Sequence, residues 1–75
     1  MEESDIKSVI KEISESMKDK GYDPVTQIVG YLISDDLGYI PEFDDNRNKI
    51  AKLERTYILE NMISEYLKWD TWDWI

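Results

Sequence analysis

The sequence predicts a small all-α domain of three to five helices, one domain over residues 1–75, which we expect to form an intertwined homodimer. Apolar residues recur at helical spacing in three segments. One of them, residues 24–34, is apolar on more than one face, so a second surface has to cover it. A 75-residue chain buries only roughly 60% of its unfolded surface, and oligomerisation is a usual remedy.

Residues 4–20 form the first predicted helix. Its apolar residues follow the i, i+3, i+4, i+7, i+11 spacing of one helix face, and they are Ile6, Val9, Ile10, Ile13 and Met17. Ser4 or Asp5 can cap the start of the helix. Gly21 stands where a left-handed residue commonly ends one.

Residues 24–34 form the second predicted helix. Asp23 can accept hydrogen bonds from the first free amides, and Pro24 suits the first helical position. Gly30 lies in the interior of this helix, where glycine costs about 1 kcal/mol relative to alanine. We therefore expect another helix to approach closely at Gly30, from the same chain or from a partner.

Residues 34–45 are predicted to be a loop whose apolar side chains pin it to the core, with Asp44 or Asp45 capping the next helix. Residues 46–68 follow as helices 46–55 and 56–68 or as one continuous helix. The apolar face changes side near Thr56. Either the helix breaks there, with Thr56 as a new N-cap, or one straight helix packs its halves against opposite neighbours, which requires a partner chain.

The tail, residues 69–75, carries three tryptophans separated by acidic residues. Tryptophan is favoured at the energetic centres of protein interfaces. The tail therefore either folds back on its own dimer or serves as a binding segment, and Trp72 is a candidate contact in both cases.

Composition excludes several classes of function. The chain has no cysteine and no histidine, so it lacks the commonest general base and the soft metal ligands. We expect no catalytic residue, no cofactor and no metal site, and we interpret the Asp-Asp pairs as helix caps and turns. A net charge of −8 repels nucleic acid and anionic lipid. No segment is typical of a membrane span or a secretory signal, which favours the cytoplasm.

Protein contacts are the remaining candidates for function. Tyrosine is common where a side chain is half buried, either in a core or in a binding cleft. Arginine suits carboxylate or phosphate contacts, either with a partner or within the chain. The candidate partner or dimer contacts, besides Gly30 and Trp72, are Tyr22, Tyr31, Tyr39, Arg47 and Arg55.

Several short motifs follow one another in a fixed order within residues 21–67: G-Y-D-P, Q-I-V-G-Y-L-I-S, Y-I-P, R-N-x-I, L-E-R and E-Y-L. In these motifs and their spacing the chain resembles the IreB/YrzL family, small proteins of the Gram-positive bacterial cytoplasm. The resemblance implies an all-helical homodimer without enzymatic chemistry. It also implies a regulatory phosphoprotein that acts downstream of a transmembrane Ser/Thr kinase sensing the cell wall and that affects β-lactam tolerance.

The chain departs from the family at its N-terminus. The family places its phosphorylated threonine in a flexible tail before the first helix, whereas no threonine precedes Thr26 here. Ser4 is then the best phosphorylation candidate, because a phosphate is favoured at a helix start. Two classes of function remain: a regulatory adaptor that binds a kinase or a cell-wall regulator, and an accessory subunit of a larger cytoplasmic enzyme that may handle nucleic acid.

Overall fold

The computed structural model describes residues 3–73, except for the side chains of Glu3, Ser4 and Thr71. Within these residues the chain is helical and contains no strand, which confirms the all-α prediction. The α-helices are α1 (Glu3–Asp19), α2 (Pro24–Ser34), α3 (Asn46–Ala51) and α4 (Arg55–Leu67), and the 3₁₀ turns are Leu37–Tyr39 and Thr71–Asp73. None of these helices is both long and apolar enough to cross a bilayer.

Helix α1 lies at the centre of the fold and contacts α2, α3 and α4. It begins at Glu3, so Ser4 and Asp5 lie inside its first turn and do not cap it, contrary to the sequence-based expectation. Acidic residues in a first turn are favoured by the helix dipole, which accounts for the earlier start. The helix ends at Asp19, and two residues later Gly21, whose φ is 87°, takes the left-handed conformation that glycine adopts at little cost.

The start of helix α2 is fixed by its N-terminal cap. Asp23 Oδ1 accepts hydrogen bonds from the backbone amides of Val25 (3.0 Å) and Thr26 (3.3 Å). Asp23 Oδ2 accepts a third bond from the Thr26 hydroxyl (2.9 Å). The helix ends at Asp35, which takes the left-handed conformation with φ 60°.

The connection between α2 and α3 is packed onto the core. Ile40 is fully buried, and Leu37 and Phe43 are half buried against the core. The ring of Tyr39 lies over Gly30, where an added β-carbon would be 2.5 Å from Tyr39 Cε1. The close approach predicted at Gly30 therefore exists, but an aromatic ring of the same chain makes it and not a second helix.

Residues 46–67 form two helices with a break between them. Glu54, in an extended conformation, precedes α4, so the second helix starts before Thr56 and not after it. Asp45 precedes α3, but its carboxylate accepts from the Asn48 side chain (2.7 Å) and not from the helix amides, contrary to the expected cap. The break turns Ile50 and Ile58 toward one core, since both are fully buried. The change of apolar face thus requires no partner chain.

The core is formed by all four helices and the α2–α3 connection. Its buried apolar residues are Ile6, Ile13, Met17, Ile28, Tyr31, Leu32, Ile40, Ile50, Leu53 and Ile58. One polar side chain, Asn46, is fully buried beside them and donates to Ser16 Oγ (3.0 Å), which donates to Asp44 Oδ2 (2.6 Å). This chain of hydrogen bonds ties α3 to α1.

Candidate protein-binding surfaces

Two helix surfaces carry large apolar side chains that the core does not use. We call the first the α4 face, formed by Leu59, Met62, Ile63, Tyr66 and Leu67, and the second the α2 face, formed by Val25, Val29 and Ile33; all of these residues are exposed. Monomeric proteins rarely leave large contiguous apolar surface in water. Both faces are therefore candidate binding surfaces.

The α4 face is continuous around its helix. At about 100° per residue, its five side chains occupy an arc of about 140° on the side away from the buried Ser64. The charged residue of α4 that falls inside this arc is Arg55, at the first position of the helix, where it is paired with Asp35. Tyr66, toward the other end of the helix, is 87% exposed. Helix α4 thus contributes mainly Ile58 to the core and presents the rest of its apolar surface to solvent.

A shallow cavity of about 230 Å³ adjoins the α4 face, and its lining is almost entirely apolar. The residues that line it are Glu60, Ile63, Ser64, Leu67 and Trp69. Lys68 takes a left-handed conformation with φ 61°, and the backbone amide of Trp69 donates to the Ser64 carbonyl (2.9 Å). This helix end turns the chain back and places the Trp69 indole beside α4.

The α2 face is a straight apolar row. Val25, Val29 and Ile33 are spaced four residues apart, so the row is about 12 Å long. They are 71%, 47% and 80% exposed. Helix α2 contains no charged residue, whereas Asp23 precedes it and Asp35 and Asp36 follow it.

The sequence predicts three tyrosines, two arginines and Gly30 as candidate contacts. Some of these residues lie on the surface and others in the core. Tyr22 and Tyr39 are exposed, whereas Tyr31 is buried. Burial raises the pKa of the Tyr31 hydroxyl, with a further upward effect from Asp35 and a downward one from Arg55. In this protomer Tyr31 serves the core, while Tyr39 covers Gly30 and remains accessible.

Arg55 is engaged within the chain. Its Nη1 donates to the Leu32 carbonyl near the end of α2 (2.9 Å), and its Nε lies 3.2 Å from Asp35 Oδ1. These contacts join the end of α2 to the start of α4.

Arg47 is likewise engaged within the chain. Its Nε donates to the Ile40 carbonyl (2.7 Å), and its Nη1 lies 3.2 Å from Glu42 Oε2. The sequence left open whether the arginines bind a partner or pair within the chain. The contacts of both Arg47 and Arg55 match pairing within the chain.

The C-terminal candidate, Trp72, lies in the last 3₁₀ turn and is 88% exposed. The turn is closed by Asp73 N donating to Asp70 O (2.9 Å) and by Asp70 N donating to Asp73 Oδ2 (2.7 Å). In this protomer the Trp72 indole contributes to the surface, while Trp69 lines the cavity. Trp74 and the Ser4 side chain, the phosphorylation candidate, lie outside the described part of the chain.

The carboxylates carry structural roles. Asp36 Oδ1 accepts from Gly38 N (2.8 Å), Asp23 caps α2, and Asp44 accepts from Ser16. Among the described residues no three carboxylates come together as metal ligands would.

Sequence reasoning missed the α4 face. The apolar stripe of residues 58–66 left two possibilities open, a helix break near Thr56 or packing against a partner chain, and neither identified which of its side chains are exposed; only Ile58 of that stripe is buried. The available signal was the width of the stripe together with its neighbour Leu67, because an arc of about 140° exceeds the 100° or so that a core-facing helix needs.

A family model described as IreB regulatory phosphoprotein matches residues 1–68. The match spans α1 to α4 and therefore both helix faces. It stops before Trp69, so the aromatic tail lies outside the matched region.

Proposed function

The chain belongs to the IreB family of regulatory phosphoproteins, and we propose that it regulates by binding another protein as a homodimer, without catalysing a reaction. The family is one of regulatory proteins and not of enzymes. The resemblance in the motifs of residues 21–67 further supports a place downstream of a Ser/Thr kinase that senses the cell wall. In this proposal the chain acts in the cytoplasm, with the kinase or a cell-wall regulator as its partner.

The α4 face is the observation that carries the proposal. Its five apolar side chains are adjacent and exposed, and the charged residue within the arc, Arg55, is engaged with Asp35 and Leu32. Aromatic residues and methionine are enriched at the buried centres of protein interfaces, and charged residues are depleted there. We assign this face and the adjoining cavity to the contact between two copies of the chain.

We propose that the chain is phosphorylated at Ser4. Its backbone lies in the first turn of α1, where a phosphate would add up to about two negative charges beside free amides and the positive end of the helix dipole. Ser8 is exposed as well, but it lies a turn further in and would crowd Glu12 four residues on. A phosphate on Ser4 is therefore the better accommodated of the two.

The dimer is tested by sedimentation of two charge variants on the same helix. Tyr66→Glu places a charge in the α4 face. Tyr57→Glu is the matched control, because Tyr57 is an exposed tyrosine that lies about 150° around α4 from the centre of the face. We expect a wild-type dimer at micromolar concentration, a monomeric Tyr66→Glu variant and a dimeric Tyr57→Glu variant. A monomeric wild type would refute the dimer.

The regulatory role is tested with the host's wall-sensing kinase. Phosphate is mapped by mass spectrometry on the wild type and on Ser4→Ala, and co-purified partners are identified with native mass analysis. Modification lost in Ser4→Ala supports the proposed site. Co-purification of a kinase or wall-synthesis regulator supports the adaptor, whereas one stoichiometric enzyme would support the accessory-subunit alternative. If no partner and no phosphate are found, the regulatory proposal falls.

A further inference from the structure

We propose that the α2 face binds a basic amphipathic helix of a different protein and not a second copy of this chain. The inference rests on the proposed function in one respect, namely that regulation acts through protein binding. It adds the surface and the chemistry of the partner. The α4 face is left for self-association.

A single chain presents the whole apolar row of the α2 face to solvent. Val25 and Ile33, at the two ends of the row, are 71% and 80% exposed. The rest of the apolar surface of α2 carries Ile28, Tyr31 and Leu32 in the core, so the helix is held in place without a partner. Because the row needs no rearrangement to become accessible, an apolar partner can bind it as it stands.

Among the described residues, unpaired carboxylates flank this row, whereas Arg55, a basic side chain that bonds to the end of α2, is neutralised by Asp35. Asp23 and Asp36 stand at its two ends, and within residues 3–73 neither forms an ion pair. Asp35 is paired with Arg55 and contributes less. The hydrogen bond from the Thr26 hydroxyl, followed by that from the Thr26 amide, lowers the pKa of the Asp23 carboxyl. The row therefore lies between two negative charges.

A second copy of the chain complements this arrangement poorly. Two α2 helices packed antiparallel bring Asp23 of each copy to the Asp36 end of the other, and parallel packing pairs each acid with its own equivalent. Like charges facing each other across an interface are unfavourable. The α4 face differs, because Lys68 follows α4 and Glu60 lines the adjoining cavity. Mixed charge of this kind can be matched by a second copy.

The complementary partner is a helix with an apolar stripe and basic residues at both ends. Helix α2 has 11 residues, which at 1.5 Å per residue is about 16 Å, and the two acids lie beyond its ends. The partner's lysines or arginines should therefore stand at the two ends of a helical stretch of about this length, with apolar residues between them at the i, i+4, i+8 spacing. The net charge of −8 also favours the approach of a basic partner.

The test uses a synthetic peptide of about 20 residues, long enough to form a helix, with three leucines at i, i+4 and i+8 and lysines at both ends. A second peptide has glutamate in place of each lysine. Binding to the full chain is measured by calorimetry and fluorescence anisotropy. The protein variants are Ile33→Ser, the double variant Asp23→Asn with Asp36→Asn, and two controls, Tyr66→Ser on the α4 face and Glu15→Gln on α1.

We expect the lysine peptide to bind and the glutamate peptide not to bind. Ile33→Ser should weaken binding of the lysine peptide by about tenfold, because the complex then no longer buries one large aliphatic side chain. The asparagine substitutions retain an oxygen that can accept the backbone hydrogen bonds. Each substitution contributes about 1.5- to 5-fold, so the double variant should bind the lysine peptide about 2- to 25-fold more weakly. Glu15→Gln should leave it unchanged, and Tyr66→Ser should abolish the dimer but not peptide binding.

Three results would overturn this inference. The first is equal binding of both peptides, or of neither. The second is lysine-peptide binding that Ile33→Ser leaves intact. The third is loss of the dimer in Ile33→Ser, which would make the α2 face the self-association surface. A monomeric wild type that still binds the lysine peptide through the α2 face would refute the proposed dimer and leave this inference standing.

Discussion

Alanine in place of Gly30 sets two opposing effects against each other. In a helix interior alanine is favoured over glycine by about 1 kcal/mol. The added β-carbon, however, would lie 2.5 Å from Cε1 and 2.9 Å from Cγ of Tyr39, well inside the optimal carbon–carbon separation of about 3.5–4.0 Å. Overpacking costs about 1–3 kcal/mol. We therefore expect Gly30→Ala to destabilise the protein by about 0–2 kcal/mol.

Tyr39 decides the sign of this effect. Its ring is 43% exposed and can give way in part, but its backbone is held because Gln27 Nε2 donates to the Tyr39 carbonyl (2.8 Å). In a Tyr39→Ala background the obstruction is absent, and Gly30→Ala should then stabilise the protein by about 1 kcal/mol. The coupling energy between the two positions should accordingly be about 1–3 kcal/mol.

The assay is equilibrium unfolding in urea of the wild type, both single variants and the double variant, at several protein concentrations. Tyr22→Ala replaces Tyr39→Ala in a control cycle, because Tyr22 is similarly exposed but packs on Phe43. No coupling to Gly30 is expected there. The reasoning is wrong if Gly30→Ala stabilises the protein with Tyr39 present. It is also wrong if Gly30→Ala destabilises the protein only at concentrations where the chain dimerises. In that case Gly30 would lie in a contact between two protomers.

Three further variants and one control, Val25→Ala, test the fold. Arg55→Lys removes the fork that reaches the Leu32 carbonyl and should cost about 1–2 kcal/mol in urea unfolding. The pKa of the Asp23 carboxyl lies below its ordinary value of 3.8, so its ionised form stabilises the fold above pH 3.8, and this contribution is lost as the pH falls through the lowered pKa. Asp23→Asn should therefore show a weaker loss of stability in unfolding measured between neutral pH and pH 3. Ile13→Ala empties a fully buried position and should lower stability by about 2–5 kcal/mol, whereas Val25→Ala at an exposed position should change it by less than about 0.5 kcal/mol.

The all-α class could be predicted because it depends on local patterns. The spacing of Ile6, Ile13 and Met17 places them on one side of a helix whatever the rest of the chain does. The Asp23-Pro24 pair begins α2 because its side-chain acceptor and its fixed φ act within one turn. Family membership follows from the same local order of motifs. Features of this kind are carried by residues that are neighbours in the chain.

The binding surfaces could not be predicted to the same depth. Tyr31, Tyr39, Arg47 and Arg55 all carry side chains typical of interfaces, yet Tyr31 is buried and both arginines bond within the chain. The partners involved are distant or depend on how loops pack, as with Arg55 and Leu32, which are 23 residues apart. Composition cannot distinguish an arginine that joins two helices of its own chain from one that is free to bind another protein.

By itself the sequence determined that this protein is helical, acidic, without histidine or cysteine, and a member of a regulatory family. Only the tertiary structure decided which apolar residues are used up in the core and which remain on the α4 and α2 faces. The physical reason is that a helix of this size is apolar over a wider arc than one neighbour can cover. Which part of the arc is covered depends on the break at Glu54 and on the packing of α1, and both are properties of the whole fold.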